Sequence, residues 1–144
     1  MTQPKTNRRE TLAGITVIAG LAATEGLAMT DNPDEALSAA FHIDELARKN
    51  GETDGPWLQF LDNNTMFAGL YEIPAGGEDK QKPHKYDELY FVTKGTAKLL
   101  AGDEAYEAST GSTFFVKAGI AHRFVDIEDD LQVMVFFSKA DPKG

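Results

Sequence analysis

The stretch Pro83-His84-Lys85-Tyr86-Asp87-Glu88-Leu89-Tyr90-Phe91-Val92 decides the fold: it runs two ligand-type side chains directly into a group of strand-forming residues. Successive side chains of a strand point to opposite faces, so residues an even number apart share one. His84 and Glu88 therefore share a face with Tyr90 and Val92, while Asp87, Leu89 and Phe91 point the other way. A second stretch, Ala118-Gly119-Ile120-Ala121-His122-Arg123-Phe124, repeats the pattern, with His122, Phe124 and Asp126 on one face. Two strands far apart in sequence can thus bring His84, Glu88 and His122 to one point. Two imidazoles and a carboxylate make a facial set with open positions, suited to Fe(II) and acceptable to Mn, Ni, Co or Zn. The chain has no cysteine, so thiolate sites and cysteine nucleophiles are excluded.

Working outward, short runs of aromatic and β-branched residues alternate with Gly, Asp and Pro. Strands are expected at Trp57–Leu61, Met66–Ile73, Glu88–Thr93, Thr96–Ala101, Glu104–Ala108, Ser112–Val116, His122–Ile127 and Leu131–Ser138. The body is all-β, and eight strands suit a jelly roll. One short N-terminal helix is expected over Glu45–Asn50, capped by Asp44, with Arg48 and Lys49 in its last turn and Gly51 after it.

The spacing of Gly76, Lys82, His84, Glu88 and Gly95 resembles the first motif of the cupins, with Lys82 where the family has its first histidine. Gly111, Lys117, Gly119, His122 and Asp126 resemble the second motif, with Lys117 for Pro and Asp126 for Asn. The resemblance implies a cupin double-stranded β-helix, an RmlC-like jelly-roll barrel, and a divalent metal on His84, Glu88 and His122. It implies a site and not a substrate. Lys82 leaves alternatives open: a pocket charge or base for an anionic substrate, a solvent-directed side chain, or an ion pair with Glu88 in a metal-free barrel.

Other candidates have plainer readings. Tyr90 and Phe124 stand beside the proposed ligands by parity and, with Lys82, form the expected substrate pocket; Met134 and Phe136 are further candidates for its wall. His42 lies outside both motifs and is expected to be a surface or packing residue. Asp87 has the wrong parity for a ligand, and Gln81 is a reserve for the vacant coordination place. Gly76-Gly77 leads into Glu78 and Asp79 rather than a phosphate-binding helix, which argues against nucleotide chemistry.

At 144 residues one domain is the default. A formal charge of −9 repels phosphate backbones and anionic lipids, so nucleic acid is not an expected partner, nor is a membrane once the leader is gone. Arg8 and Arg9 precede Leu12–Ala23, an apolar run of roughly twelve residues, too short for the ~20 of a spanning helix. Gly26-Leu27-Ala28 offers a cleavage site before Met29. The paired arginines with Leu12 resemble a twin-arginine signal, although Thr11 stands where Phe is usual. The expected organisation is a signal peptide over 1–28, an acidic spacer over 29–42 and the barrel over 43–140, with the mature protein exported, in the periplasm.

Three functions from different classes fit. An enzyme would use the metal on a small oxygen-rich substrate, in dioxygenase, lyase or isomerase chemistry. A binding module would capture a small molecule or metal without turnover. An assembly role would pair two barrels as a homodimer, with Leu89 and Phe91 on an apolar outer face.

Overall fold

The computed structural model describes residues 38–141, so the leader and most of the spacer expected from the sequence lie outside the described residues. Helix α1 (Ile43–Asn50) is followed by β1 (Trp57–Asp62), β2 (Met66–Ile73), β3 (Asp87–Lys94), β4 (Thr96–Ala101), β5 (Glu104–Ser109), β6 (Thr113–Val116), β7 (His122–Val125) and β8 (Leu131–Ser138). A five-stranded sheet runs β1-β2-β8-β3-β6 and a three-stranded sheet runs β5-β4-β7, every described pair antiparallel. The all-β jelly-roll expectation is met. Among the described residues no helix is long and apolar enough to cross a membrane.

Strand alternation divides the apolar residues into two groups. Tyr90 and Val92 of β3, Val116 of β6, Leu99 of β4, Phe124 of β7 and the odd-numbered residues Leu131 to Phe137 of β8 point inward and form the main core. The outward faces of β1 and β2 carry Phe60, Ala68 and Leu70, and Leu46 of α1 covers them. Burying that leucine contributes about 1.5–3 kcal/mol. A bulge in β1 between Gln59 and Leu61 pairs Leu61 with Ala68, so Phe60 and Leu61 both join the cluster under the helix. At the helix end, Asn50 Nδ2 donates to Glu72 Oε2 at 2.8 Å, and Glu72 Oε1 accepts from Gln132 Nε2 at 2.7 Å, which ties α1 to β2 and β8.

Several details differ from the sequence expectation. The helix starts at Ile43, and its N-cap is His42, whose Nδ1 accepts from the Asp44 amide at 3.3 Å. An imidazole acceptor on extended backbone performs the capping role expected of Asp44. Met134 and Phe136 do not wall the cavity beside His84 and Tyr90; they sit on the outer face of β8, packed against the cluster under α1. The pairing of β8 with β2 and β3 directs Val135 and Phe137 inward instead. Strand β7 ends at Val125 because Asp126 adopts φ 49°, and its carboxylate turns outward to Lys98 Nζ at 3.1 Å. Asp126 therefore leaves the face of His122 and Phe124.

Gly95 joins β3 to β4 with φ 93°, and a Cβ there would stand 2.4 Å from the Asp130 carbonyl oxygen. Only glycine fits both conditions. This turn fixes how β3, which carries Glu88, passes into the other sheet, which carries His122.

Candidate metal centre

Glu88 enters the barrel from β3 and is 1% exposed, and His122 enters from β7 and is also buried. His84 reaches the same point from the loop before β3, half-buried at the mouth. One ligand atom from each of the three lies within 4.8 Å of the others, so the set could hold a metal ion. His84 Nδ1 lies 2.7 Å from Glu88 Oε1, and His122 Nε2 lies 3.5 Å from Glu88 Oε2.

The second nitrogen of His122 fixes its tautomer. Nδ1 is 2.8 Å from the Ile120 carbonyl oxygen, which can only accept, so Nδ1 carries a proton and Nε2 is turned to the centre, a donor there when the ring is charged and a lone pair when it is neutral. A ring held through Nδ1 with Nε2 aimed at a carboxylate is what a divalent metal requires. The donor set therefore fits such an ion.

Tyr90 occupies the middle of this arrangement. Its hydroxyl is 2.5 Å from Glu88 Oε2, 2.8 Å from His122 Nε2 and 3.1 Å from Gln81 Oε1. The shortest of these is a charge-assisted bond, and it takes the one phenolic proton. Burial raises the Tyr90 pKa, the Glu88 charge and hydrogen bond raise it further, and the phenol stays protonated. For Glu88, burial favours the neutral acid. Hydrogen bonds from His122 and Tyr90, the charge of His122 and the bond from His84 outweigh it and hold the pKa below the ordinary carboxylate value. His122 is the converse: burial disfavours its charge, but the Glu88 hydrogen bond, the Ile120 carbonyl and the Glu88 charge prevail and raise its pKa.

A cavity of about 410 Å³ opens beside His84 and Tyr90. Trp57, Phe67, Tyr71 and Phe137 form its apolar walls, and Lys80 and Gln81 stand among its polar groups. Lys82 is exposed and is not part of this lining, which corrects its expected place in the pocket; Lys80 and Gln81, two residues and one residue earlier, are the ones that face the cavity. Phe124 is buried behind Tyr90, ring centroids 5.7 Å apart, and supports the pocket without lining it. Gln81 Oε1 faces the Tyr90 hydroxyl, while its Nε2 donates to Asp79 Oδ2 at 2.6 Å. Asp87 points away from the centre and accepts from the Ala118 amide at 2.8 Å.

Sequence reasoning missed Asp79. Its carboxylate is buried and accepts from the Tyr71 hydroxyl, the Gln81 amide and side chain, and the Phe124 amide on β7. An Asp in an acidic, glycine-containing loop looks solvated. The one available signal was that edge strand β7 needs a partner for its outward N–H. Trp57, Phe67 and Tyr71 were likewise missed as cavity walls, since no motif marks them.

A family model described as a cupin domain matches residues 69–138. An uncharacterised protein of Streptomyces coelicolor is 46% identical over 99 residues, spanning 69% of this chain and 94% of its own length. Among solved structures, a Thermus thermophilus protein aligns with TM-score 0.57 at 22% identity, over 69% of this chain and 95% of its own. An RmlC-like cupin from Shewanella frigidimarina aligns with TM-score 0.55 at 18% identity, over 63% and 84%. KdgF from a Halomonas species aligns with TM-score 0.53 at 20% identity, over 65% and 94%. At these identities the structural matches speak for the fold alone.

Proposed function

The chain belongs to the cupin superfamily, and from that premise we propose that it binds one divalent metal on His84, Glu88 and His122 and presents it to a small molecule in the aromatic cavity. The observation that carries this reading is the convergence of three ligand atoms within 4.8 Å, with His122 Nε2 aimed at Glu88 by the bond its Nδ1 makes to the Ile120 carbonyl. Fe, Mn, Ni, Co and Zn all accept such a donor set. When bound, the ion would supply Lewis-acid polarisation of an oxygen-bearing ligand, which serves lyase or isomerase chemistry, or, if redox-active, the electrons that dioxygenase chemistry requires. The chain's own residues do the rest. Glu88 supplies buried negative charge, Tyr90 holds a proton at its hydroxyl oxygen, and the aromatic walls exclude water. Metal content by mass spectrometry, after reconstitution with each of the five ions, tests the reading; a protein that takes up none of them overturns it.

A second reading is favoured by Tyr90, whose hydroxyl already satisfies Glu88 and His122 without any ion. On that reading the barrel is a non-catalytic binding module, metal-free, with an imidazolium balancing the carboxylate. The same metal analysis separates the two.

We propose in addition that the mature protein acts outside the cytoplasm after loss of residues 1–28. We also propose that it pairs as a homodimer through the outer face of β3 and β6, where Leu89, Phe91 and Phe115 are exposed.

A further inference from the structure

We propose that the cavity takes a single aromatic ring carrying two adjacent oxygens, such as an ortho-dihydroxybenzene, laid against the indole of Trp57. The adjacent oxygens rest on the metal reading above, whereas the ring does not.

The walls argue for the ring. Phe67 and Phe137 are stacked at 4.2 Å with planes 6° apart, and Trp57 meets Phe137 edge-on at 5.9 Å. His84 also meets Phe137 edge-on, at 5.2 Å, so one aromatic cluster runs from the indole to the metal centre. Flat walls of this kind complement a flat guest through offset and edge contacts that an aliphatic chain cannot make. Size sets the limit: a cavity of roughly 150 Å³ accepts benzene. At about 410 Å³ this one takes one ring with substituents.

Gly69 sets the depth of the cavity. A Cβ on Gly69 would lie 2.2 Å from Trp57 Cη2 and 2.3 Å from Cζ2, so the indole rests directly on the backbone of β2. Trp57 and Gly69 both face inward, and any side chain at 69 would lift the indole off the sheet and into the cavity. A bulky residue at 57 with no side chain at 69 is the arrangement that yields a broad flat wall together with room in front of it.

The polar end argues for adjacent oxygens. Glu88 and His122 are buried behind the centre, and His84 and Tyr90 are the two of its groups that line the cavity. Three protein ligands would leave more than one coordination place open, and His84 and Tyr90 put the cavity beside them. A ligand with neighbouring oxygens can fill two of them at once.

Trp57 is the only tryptophan in the chain, so its fluorescence reports on this wall alone. The full chain, zinc-loaded and metal-free, is titrated with catechol, resorcinol and glycolate; zinc is chosen because it has no redox chemistry. Both aromatics should quench Trp57 in both forms. In the zinc form catechol should bind at least tenfold tighter than either resorcinol or glycolate. Gly69→Ala should weaken both aromatics at least tenfold, and Trp57→Ala, followed by calorimetry, should do the same, while Trp57→Phe retains binding; circular dichroism verifies each fold. The ring is overturned if neither aromatic binds, if glycolate matches catechol, or if aromatic affinity survives both Gly69→Ala and Trp57→Ala. The adjacent oxygens are overturned if catechol and resorcinol bind the zinc form alike. If mass spectrometry finds no zinc taken up, the metal reading fails with the oxygens, and aromatic binding to the metal-free chain still decides the ring.

Discussion

The Tyr90 hydroxyl donates to Glu88 Oε2 across 2.5 Å, two residues along the same strand and on the same inward face. That bond holds the buried carboxylate in place. A metal approaching Glu88 Oε2 and His122 Nε2 has to displace the hydroxyl from both.

Tyr90→Phe is therefore expected to act in opposite directions on the two states. Without metal, the loss of a hydrogen bond to a buried charge should cost about 1.5–3 kcal/mol and lower the melting temperature. With metal, affinity should rise, because no hydroxyl competes. Thermal denaturation with and without chelator measures both, and a variant whose metal affinity falls would make the hydroxyl a contributor to binding.

His84→Ala, Glu88→Ala and His122→Ala should each abolish stoichiometric metal, since three ligands leave no reserve. Lys82→Ala should leave metal content unchanged, because Lys82 is exposed and stands outside the cavity lining. Mass spectrometry of the purified variants reads this, and alanine variants that retain parental metal would remove the site.

The metal-free protein should be most stable at weakly acidic pH. The His122 pKa is raised, so its contribution is complete below the ordinary imidazole value of 6.5 and is lost as pH climbs through the raised value. The Glu88 pKa is lowered, so its contribution is complete above the ordinary carboxylate value of 4.5 and is lost as pH falls through the lowered value. The pair thus contributes in full between those two values. Metal affinity should follow a different course and strengthen with rising pH, because binding expels the His122 proton. Melting curves across pH, with and without zinc, would expose an error if the metal-free optimum were alkaline.

Phe115 is 64% exposed and faces Leu89 across the β3–β6 pairing, with Phe91 further along β3. If two barrels pair through this face, Phe115→Asp should yield monomers with an unchanged circular dichroism spectrum. Analytical ultracentrifugation decides it, and a parent that sediments as a monomer would refute the pairing.

The mature protein should begin at Met29 and be recovered from the periplasm. N-terminal sequencing of fractionated cells is the check. An intact Met1 in the cytosolic fraction would rule out export.

Parity within β3 was legible, because the side-chain period of a strand is a local property: Glu88 and Tyr90 point inward while Leu89 and Phe91 lie outside, and His84 meets Glu88 from the loop before the strand, where that period does not apply. The two motifs made His122 legible too. Parity within β8 was not, since alternating large residues over Leu131–Ser138 look alike on both faces and only pairing with β2 and β3 decides that Phe137, not Phe136, enters the barrel. Asp126 left its face through one positive φ, which a sequence does not announce. The cavity escaped notice for a related reason. Its walls come from β1, β2 and β8, and nothing in the text of one strand records which others it will face.

Strand β7 is four residues long and lies at the edge of its sheet, where an open N–H can recruit a foreign strand. Asp79 occupies the Phe124 amide, and the same loop supplies Lys80 and Gln81 to the cavity lining. Solubility and ligand access are thereby joined in one segment. Displacing that loop would uncover the edge and strip Lys80 and Gln81 from the cavity lining at one stroke.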